Sequence, residues 1–464
     1  MAQISEITVG DLLKHQRIDA EYFRPFFIKT DKFIGSLENQ DFVTYTKFVK
    51  KGIFDISPDH YVEENGIPFI RSGDLKDPFI TSSDIIEIDN EAHEKELKTE
   101  LNIGDLLMAK VGRIGDVAVN YRFEKLNLSQ NVIGVKIKEQ FKRQSGFLMV
   151  FLNSKYGRSQ IDRKLSGQVQ QKITLDDFKY LKVPSLSKDF IEKTNQLAEK
   201  SYSLQLESKS LYAQAEQILL QELGLEDFTP EWITGYETDF VNILKVARMD
   251  AEYFQPRYEL LMEKIGNANK IEKLGDISTL SKKKVNILPE ETYKYIEIGD
   301  VDTSNGEFTY NEIAGVDLPA NAKKNIQDES LLISTVRPTR GAVGVIPNGW
   351  NNGFVVSGAF AVFEKHSISP FYLQVVMRSI IGKMQLERCC TGVSYPTVTD
   401  EDAANVIIPL LDDKKIEKIH DLVMESHKSL HESRQLLEQA KREVEEMIES
   451  KSTDKEKSKL VAFN

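Results

Sequence analysis

Nine residues, Arg17-Ile18-Asp19-Ala20-Glu21-Tyr22-Phe23-Arg24-Pro25, return 231 positions later as Arg248-Met249-Asp250-Ala251-Glu252-Tyr253-Phe254-Gln255-Pro256, seven of the nine identical. A second match follows at an offset of 225: Gly167 through Pro184 aligns without gaps to Gly392 through Pro409, sharing the glycine, Thr174/Thr399, Asp177/Asp402 and the closing proline. At the same offset Glu192-Lys193 meets Glu417-Lys418, and each pair opens a long helical pattern. Matches that keep their order and spacing along a whole chain mark a duplicated unit. A length of 464 residues is also more than one hydrophobic core usually serves.

Between the matched ends the copies diverge. Residues 41–150 and 270–370 read as short strands broken by turn residues, such as Gly66-Ile67-Pro68, Arg71-Ser72-Gly73-Asp74, Asn305-Gly306 and Pro347-Asn348-Gly349. The apolar runs Val132–Ile137 and Phe354–Phe363 read as buried strands. Weak echoes persist, with Ser72-Gly73-Asp74-Leu75 against Ile298-Gly299-Asp300-Val301.

From Phe190 apolar or small residues step at about 3.5, through Thr194, Leu197, Ser201, Leu204, Ser208, Leu211, Ala215 and Ile218. The second copy does the same from Ile416 through Ile419, Val423, Ser426, Leu430, Ser433, Leu437, Ala440, Val444 and Met447. Each run of about 30 residues would extend roughly 45 Å as a helix. A long helix with a narrow apolar seam needs a partner helix. The chain supplies two from equivalent positions, so antiparallel pairing is expected, with the globular units at opposite ends; packing of each helix on its own domain is the alternative. Gly224 is expected to end the first helix, and Pro230 to prevent its resumption.

Composition is that of a globular chain, 41% hydrophobic and 28% charged. No apolar run is long enough to cross a bilayer, and Met1-Ala2-Gln3-Ile4-Ser5-Glu6 lacks the basic-then-apolar start of a secretory signal. The two cysteines, Cys389 and Cys390, are adjacent and geometrically poor disulfide partners, so reduced thiols and a cytoplasmic location without membrane contact are expected. The net charge of −12 argues against nucleic acid only as an average. Tyr121–Phe190 carries 14 Lys plus Arg against 6 Asp plus Glu. That balance suits a phosphate-facing surface or an ordinary solvated basic face.

The sequence carries no familiar catalytic motif. There is no GxxxxGK[ST] loop, and the glycines of Val111-Gly112-Arg113-Ile114-Gly115 have the wrong spacing for a dinucleotide turn. Gly392-Val393-Ser394-Tyr395 departs from a nucleophile elbow, and seven scattered histidines with two cysteines offer no zinc spacing. Asp300–Gly306 starts like a calcium loop, but its glycine falls one place late. The residues point to a binding protein with no catalytic centre, metal or cofactor of its own.

The duplicated order resembles the specificity subunits of type I restriction-modification systems. Gly167-Gln168-Val169-Gln170-Gln171-Lys172-Ile173-Thr174 with the following Asp176-Asp177-Phe178…Val183-Pro184, and again Gly392…Val398-Thr399…Pro409, resemble that family's exit from a target-recognition domain. Leu106–Gly115 is similar to its strand and turn; the second copy departs there, with Leu332-Ile333-Ser334-Thr335-Val336-Arg337-Pro338-Thr339-Arg340-Gly341. The resemblance implies an α+β fold: two mixed α/β target-recognition domains separated by two long antiparallel helices, in a pseudo-twofold internal repeat. The expected boundaries are 1–186 and 226–411 for the domains, 187–225 and 412–450 for the spacer helices, and 451–464 for a charged tail.

The same resemblance implies that each domain reads half of a bipartite site in double-stranded DNA. The implied partners are two methyltransferase subunits, which bring S-adenosylmethionine, and motor-nuclease restriction subunits. Residues suited to base edges and phosphates in the first copy are Arg71, Ser72, Lys110, Arg113, Gln130, Gln168, Gln170, Gln171 and Lys172. In the second copy they are Lys282, Lys283, Lys284, Arg337, Thr339, Arg340 and Tyr395. Arg17/Arg248 and Asp19/Asp250 read as structural, and Tyr22, Phe23, Tyr253 and Phe254 as core or partner contacts. Three rival readings stay open: a coiled-coil scaffold that binds no DNA, a restriction-enzyme fragment with hidden catalytic residues, and the recognition subunit of another phage-defence modification system.

Overall fold

The computed structural model describes residues 5–451 apart from 55, 76, 81–84, 112–113, 166–172, 247, 267, 269, 351–352 and 393. The chain forms two compact units, Met1–Leu206 with Leu430–Asn464, and Glu207–Ser429. The division falls inside the two long helices, each of which contributes half of its length to either unit.

Both units are built from the same parts. In the first, Thr46–Lys51, Val132–Ile137, Leu106–Ala109 and Val117–Val119 form a four-stranded antiparallel sheet in that order. In the second, Thr279–Leu280, Phe360–Glu364, Leu331–Ser334 and Val343–Val345 do the same. Alternation along the strands gives each sheet two apolar faces. Leu106, Met108, Ile133 and Val135 enter one core, and Leu107, Ala109, Ala118 and Val132 another. The second unit divides Leu331, Ile333 and Phe363 from Leu332, Phe360 and Val362 in the same way.

A second sheet flanks each of these, with one parallel pair. In the first unit Ile67–Ile70 runs parallel to Asn127–Leu128, and in the second Thr292–Ile296 runs parallel to Phe354–Ser357. The apolar run Phe354–Phe363 is therefore two strands in two sheets, and not the single strand its composition suggests. Ser357 makes the break: its Oγ accepts from the Ala359 amide (3.2 Å) and from Asn321 Nδ2 (2.8 Å).

Four helices complete the frame: α1 (Lys155–Lys164), α2 (Lys188–Glu222), α3 (Ile380–Cys389) and α4 (Asp413–Ser450). α2 ends in a left-handed turn at Gly224 (φ 62°), where Leu225 N donates to Leu220 O at 2.8 Å. In the first unit α2 and α4 run antiparallel through buried Ser201 and Ser433, whose hydroxyls lie 2.8 Å apart, flanked by Lys193–Glu443 and Lys200–Glu432 ion pairs. In the second, Ser208 and Ser426 meet at 3.0 Å and Lys415 pairs with Glu222. These serines lie seven residues apart on each helix, so the seam is apolar with a satisfied polar pair once per heptad. Such pairs fix register at some cost in stability.

Candidate nucleic-acid interface

The duplicated motif is a clamp. Arg17 donates from Nε to Asp19 (2.7 Å) and from its Nη atoms to Lys164 O and Leu165 O, the open carbonyl end of α1. Arg248 donates to Asp250 (2.9 Å) and to Arg388 O, Cys389 O and Cys390 O at the end of α3. A cation on the last carbonyls of a helix satisfies orphan acceptors and the helix dipole together. The hydrogen bond from each arginine holds its aspartate below the usual carboxylate range. The clamp also fixes an aromatic ring: Arg17 and Arg163 lie 4.6 and 4.3 Å from the Tyr22 centroid. Arg248 and Arg388 lie 4.7 and 4.8 Å from that of Tyr253. Tyr22 and Phe23 are buried, and Tyr253 and Phe254 half-buried.

A further repeat holds the clamp in place and went unread in the sequence: Ser154-x-x-Gly157-x-x-Gln160-x-x-Arg163 returns as Ser379-x-x-Gly382-x-x-Gln385-x-x-Arg388. Its spacing of three sets the four residues along α1 and α3. Each serine caps its helix. Each glycine permits close approach, since a Cβ at Gly157 would stand 2.2 Å from Phe151 O and one at Gly382 2.4 Å from Met377. Gln160 exchanges two hydrogen bonds with the Lys182 backbone, and Gln385 two with that of Ile407. Arg163 and Arg388 donate to Tyr22 O and Tyr253 O, both at 3.2 Å. All four recur at the offset of 225 as isolated identities, which is their signal in the sequence.

The frame leaves one end of each antiparallel sheet to carry loops. In the first unit Ser129 N donates to Ile70 O (2.9 Å) and Lys110 N to Asn131 O (2.9 Å). These bonds bring the loops of Arg71, Ser72, Gln130 and Lys110 together. Arg71 is tied to Asp74 through both its backbone and its guanidinium, while Ser72, Lys110 and Gln130 are half-buried. Exposed Phe54 follows Ile53, which bridges to Ser129. Arg113, Gln168, Gln170, Gln171 and Lys172 lie outside the described residues.

In the second unit Lys282, Lys283 and Lys284 leave the sheet at the same end as Arg337, Thr339 and Arg340. Lys283 is partly neutralised by buried Glu364 at 2.8 Å. Arg337 has a left-handed backbone (φ 48°), donates from its amide to Pro396 O (2.7 Å) and lies 4.2 Å from the ring centroid of Tyr395, itself 65% exposed. Thr339 and Arg340 are exposed on the 3-10 turn Pro338–Arg340. By register against the central strand, where Leu280 faces Phe363 and Val49 faces Val135, the lysine triplet takes the place of Lys51-Gly52-Ile53 in the first unit.

Cys389 and Cys390 are half-buried free thiols, and burial pushes Cys390 up to about 11, so little thiolate forms at neutral pH. Among the described residues no group of three or more His, Cys, Asp or Glu is placed to hold a metal ion. No helix among them is long and apolar enough to cross a membrane.

No family model matches the chain. A curated relative, the type I restriction enzyme HindI specificity subunit of Haemophilus influenzae, is 28% identical over 155 residues, 32% of this chain. The match spans about a third, 33%, of that relative's own length. Among solved structures, the type I S subunit from M. genitalium covers 89% of this chain and 96% of its own, at 14% identity and a TM-score of 0.39. The HsdS subunit from Thermoanaerobacter tengcongensis covers 90% and 94%, at 14% identity and a TM-score of 0.24. At such scores neither likeness bears on the fold described above. Over that third of its length, the chain is similar in sequence to a type I restriction enzyme specificity subunit.

Proposed function

We propose that the chain is the DNA-recognition subunit of a modification complex, each unit reading one half of a bipartite site. One observation carries this reading: a frame repeated to the level of single hydrogen bonds holds loops that do not repeat. Those loops bear arginine, lysine, glutamine and exposed aromatic side chains at one end of each sheet. A protein that reads two different half-sites needs one scaffold twice and two different sets of base-edge groups.

Phosphate contacts from the lysines supply affinity, and the arginines and glutamines supply discrimination. Linking two readers on one chain makes the second binding event intramolecular, so their specificities multiply. The two long helices set the half-site spacing and offer a docking surface to two methyltransferase subunits. Those subunits bring S-adenosylmethionine and methylate adenine; motor-nuclease subunits join them to cleave unmodified DNA. The chain itself does no chemistry.

A mobility-shift titration of the chain with its methyltransferase partner on double-stranded DNA tests the reading. Expected is binding whose affinity falls steeply with salt, by about 10²-fold or more between 50 and 200 mM. No shift at low salt, with partner bound, favours the scaffold reading.

A further inference from the structure

The second unit has a buried cation that reaches its candidate reading loop from behind. Arg378, at the last position of the helix Pro370–Arg378, is 6% exposed. Its guanidinium donates to Gly341 O (3.2 Å) and Val343 O (3.3 Å), where the turn carrying Arg337, Thr339 and Arg340 returns to the sheet. It also donates to Thr303 O (2.8 Å) and Asp302 O (3.4 Å) in the neighbouring turn. Its Nε donates to Tyr212 Oη at 2.7 Å, and Tyr212 is a buried residue of α2. One turn earlier, Gln374 donates to Asn305 O (2.8 Å) and accepts from Val345 N (3.1 Å). The gap these side chains close is tight, because a Cβ at Gly344 would stand 1.9 Å from Gly306 O.

The first unit solves the same problem differently. The residue 225 positions before Arg378 is Asn153, which exchanges hydrogen bonds with Val117. The matching loop is held instead by half-buried Arg158 of α1, through Ile114 O and Asp116 (both 2.6 Å), with Asp162 at 2.9 Å. Among the described residues Arg158 bonds to Ile114, Asp116 and Asp162, none of them on a long helix.

We infer that Arg378 is a positioning residue that fixes the 337–341 loop and, through Tyr212, ties its placement to α2. The first unit's loop has its own anchor, in Arg158. A planar guanidinium presents five donors in a fixed fork, so carbonyls from two loops and one hydroxyl from the helix are held in a single plane. Removing the hydroxyl leaves a buried donor unsatisfied and lets the fork turn away from the carbonyls. As a statement about DNA reading, the inference rests on the function proposed above.

Tyr212→Phe keeps the ring and deletes the acceptor. In the full-length chain, hydrogen exchange at residues 339–343 should quicken about tenfold, with residues 115–119 unchanged. In the methyltransferase complex, methylation at sites with one mismatch in one half should rise about tenfold. The other half should stay fixed, and it is the half that Arg158→Gln relaxes. Arg378→Lys, with fewer donors, should give the same loop-restricted exchange. Unchanged exchange at 339–343, or faster exchange in both loops together, overturns the inference, as does equal relaxation of both halves. Loop-restricted exchange in a complex with no bipartite target keeps the link between helix and loop and overturns the function proposed above.

Discussion

The motifs Ser154–Arg163 and Ser379–Arg388 share their helix-capping, glutamine-to-strand and arginine-to-tyrosine-carbonyl hydrogen bonds, whereas 46–137 and 279–364 share strand order and little else. The matched stretches hold the capping serines, the close-packed glycines, the glutamines that hold the strand backbone, and Arg163 and Arg388 on the tyrosine carbonyls, all at one offset. Their contacts stay within one unit's frame, so a change in one requires a change in its partner. The unmatched stretches carry the loops. There Lys282-Lys283-Lys284 stands where the first unit has Lys51-Gly52-Ile53, and from the frame Arg378 anchors from inside what Arg158 anchors from the side. A chain organised in this way can change what it touches without changing how it folds.

The largest effects should come from the frame. Gly157→Ala drives a Cβ against Phe151 O, and Gly382→Ala one against Met377. Overpacking against backbone costs about 1–3 kcal/mol or more, read as a lowered urea midpoint, and equal losses at both sites would confirm that the two frames are equivalent. Arg163→Ala removes the bond to Tyr22 O, the Asp31 ion pair and the cation over Tyr22. About 2–4 kcal/mol is expected. Arg388→Ala should cost less, since the Arg388 side chain is 24% exposed and that of Arg163 only 7%. A neutral result at either arginine would break the comparison.

Smaller effects should come from the seam and the loops. Ser201→Ala deletes one hydroxyl of a buried pair and should cost about 1 kcal/mol. Arg340→Ala should leave stability within about 0.5 kcal/mol while reducing discrimination at one position of one half-site, read from methylation at single-mismatch sites. Smallest is the acid dependence. Asp19 and Asp250 have carboxyl groups held below their ordinary value by Arg17 and Arg248. Their contribution is present above the ordinary carboxylate range, near pH 4, and is lost as pH falls through the lower folded values. Both are solvent-accessible, so only a slight steepening of the acid limb is expected. It should vanish in the Asp19→Asn, Asp250→Asn double variant.

The repeat was legible because identical residues at a constant offset need no knowledge of contacts. The long helices were legible because heptad steps at Ser201, Ser208, Ser426 and Ser433 report a seam directly. The break between Ser357 and Phe360 was not, since composition cannot tell one buried strand from two, and the break depends on Asn321, far off in sequence. The loops were least legible. Charge marks Arg337 in the sequence, but its left-handed backbone and its place beside Tyr395 depend on Pro396. The loop's anchor, Arg378, lies inside an apolar helix, where it reads as an ordinary end-of-helix cation.

The central claim is that one repeated frame presents two different DNA-reading surfaces. It is tested most directly by genome-wide adenine methylation in cells carrying the methyltransferase partner, with and without this chain. The account predicts one methylated motif in two unlike halves that disappears when the chain is removed. An unchanged methylation pattern, with the partner confirmed active, would contradict it.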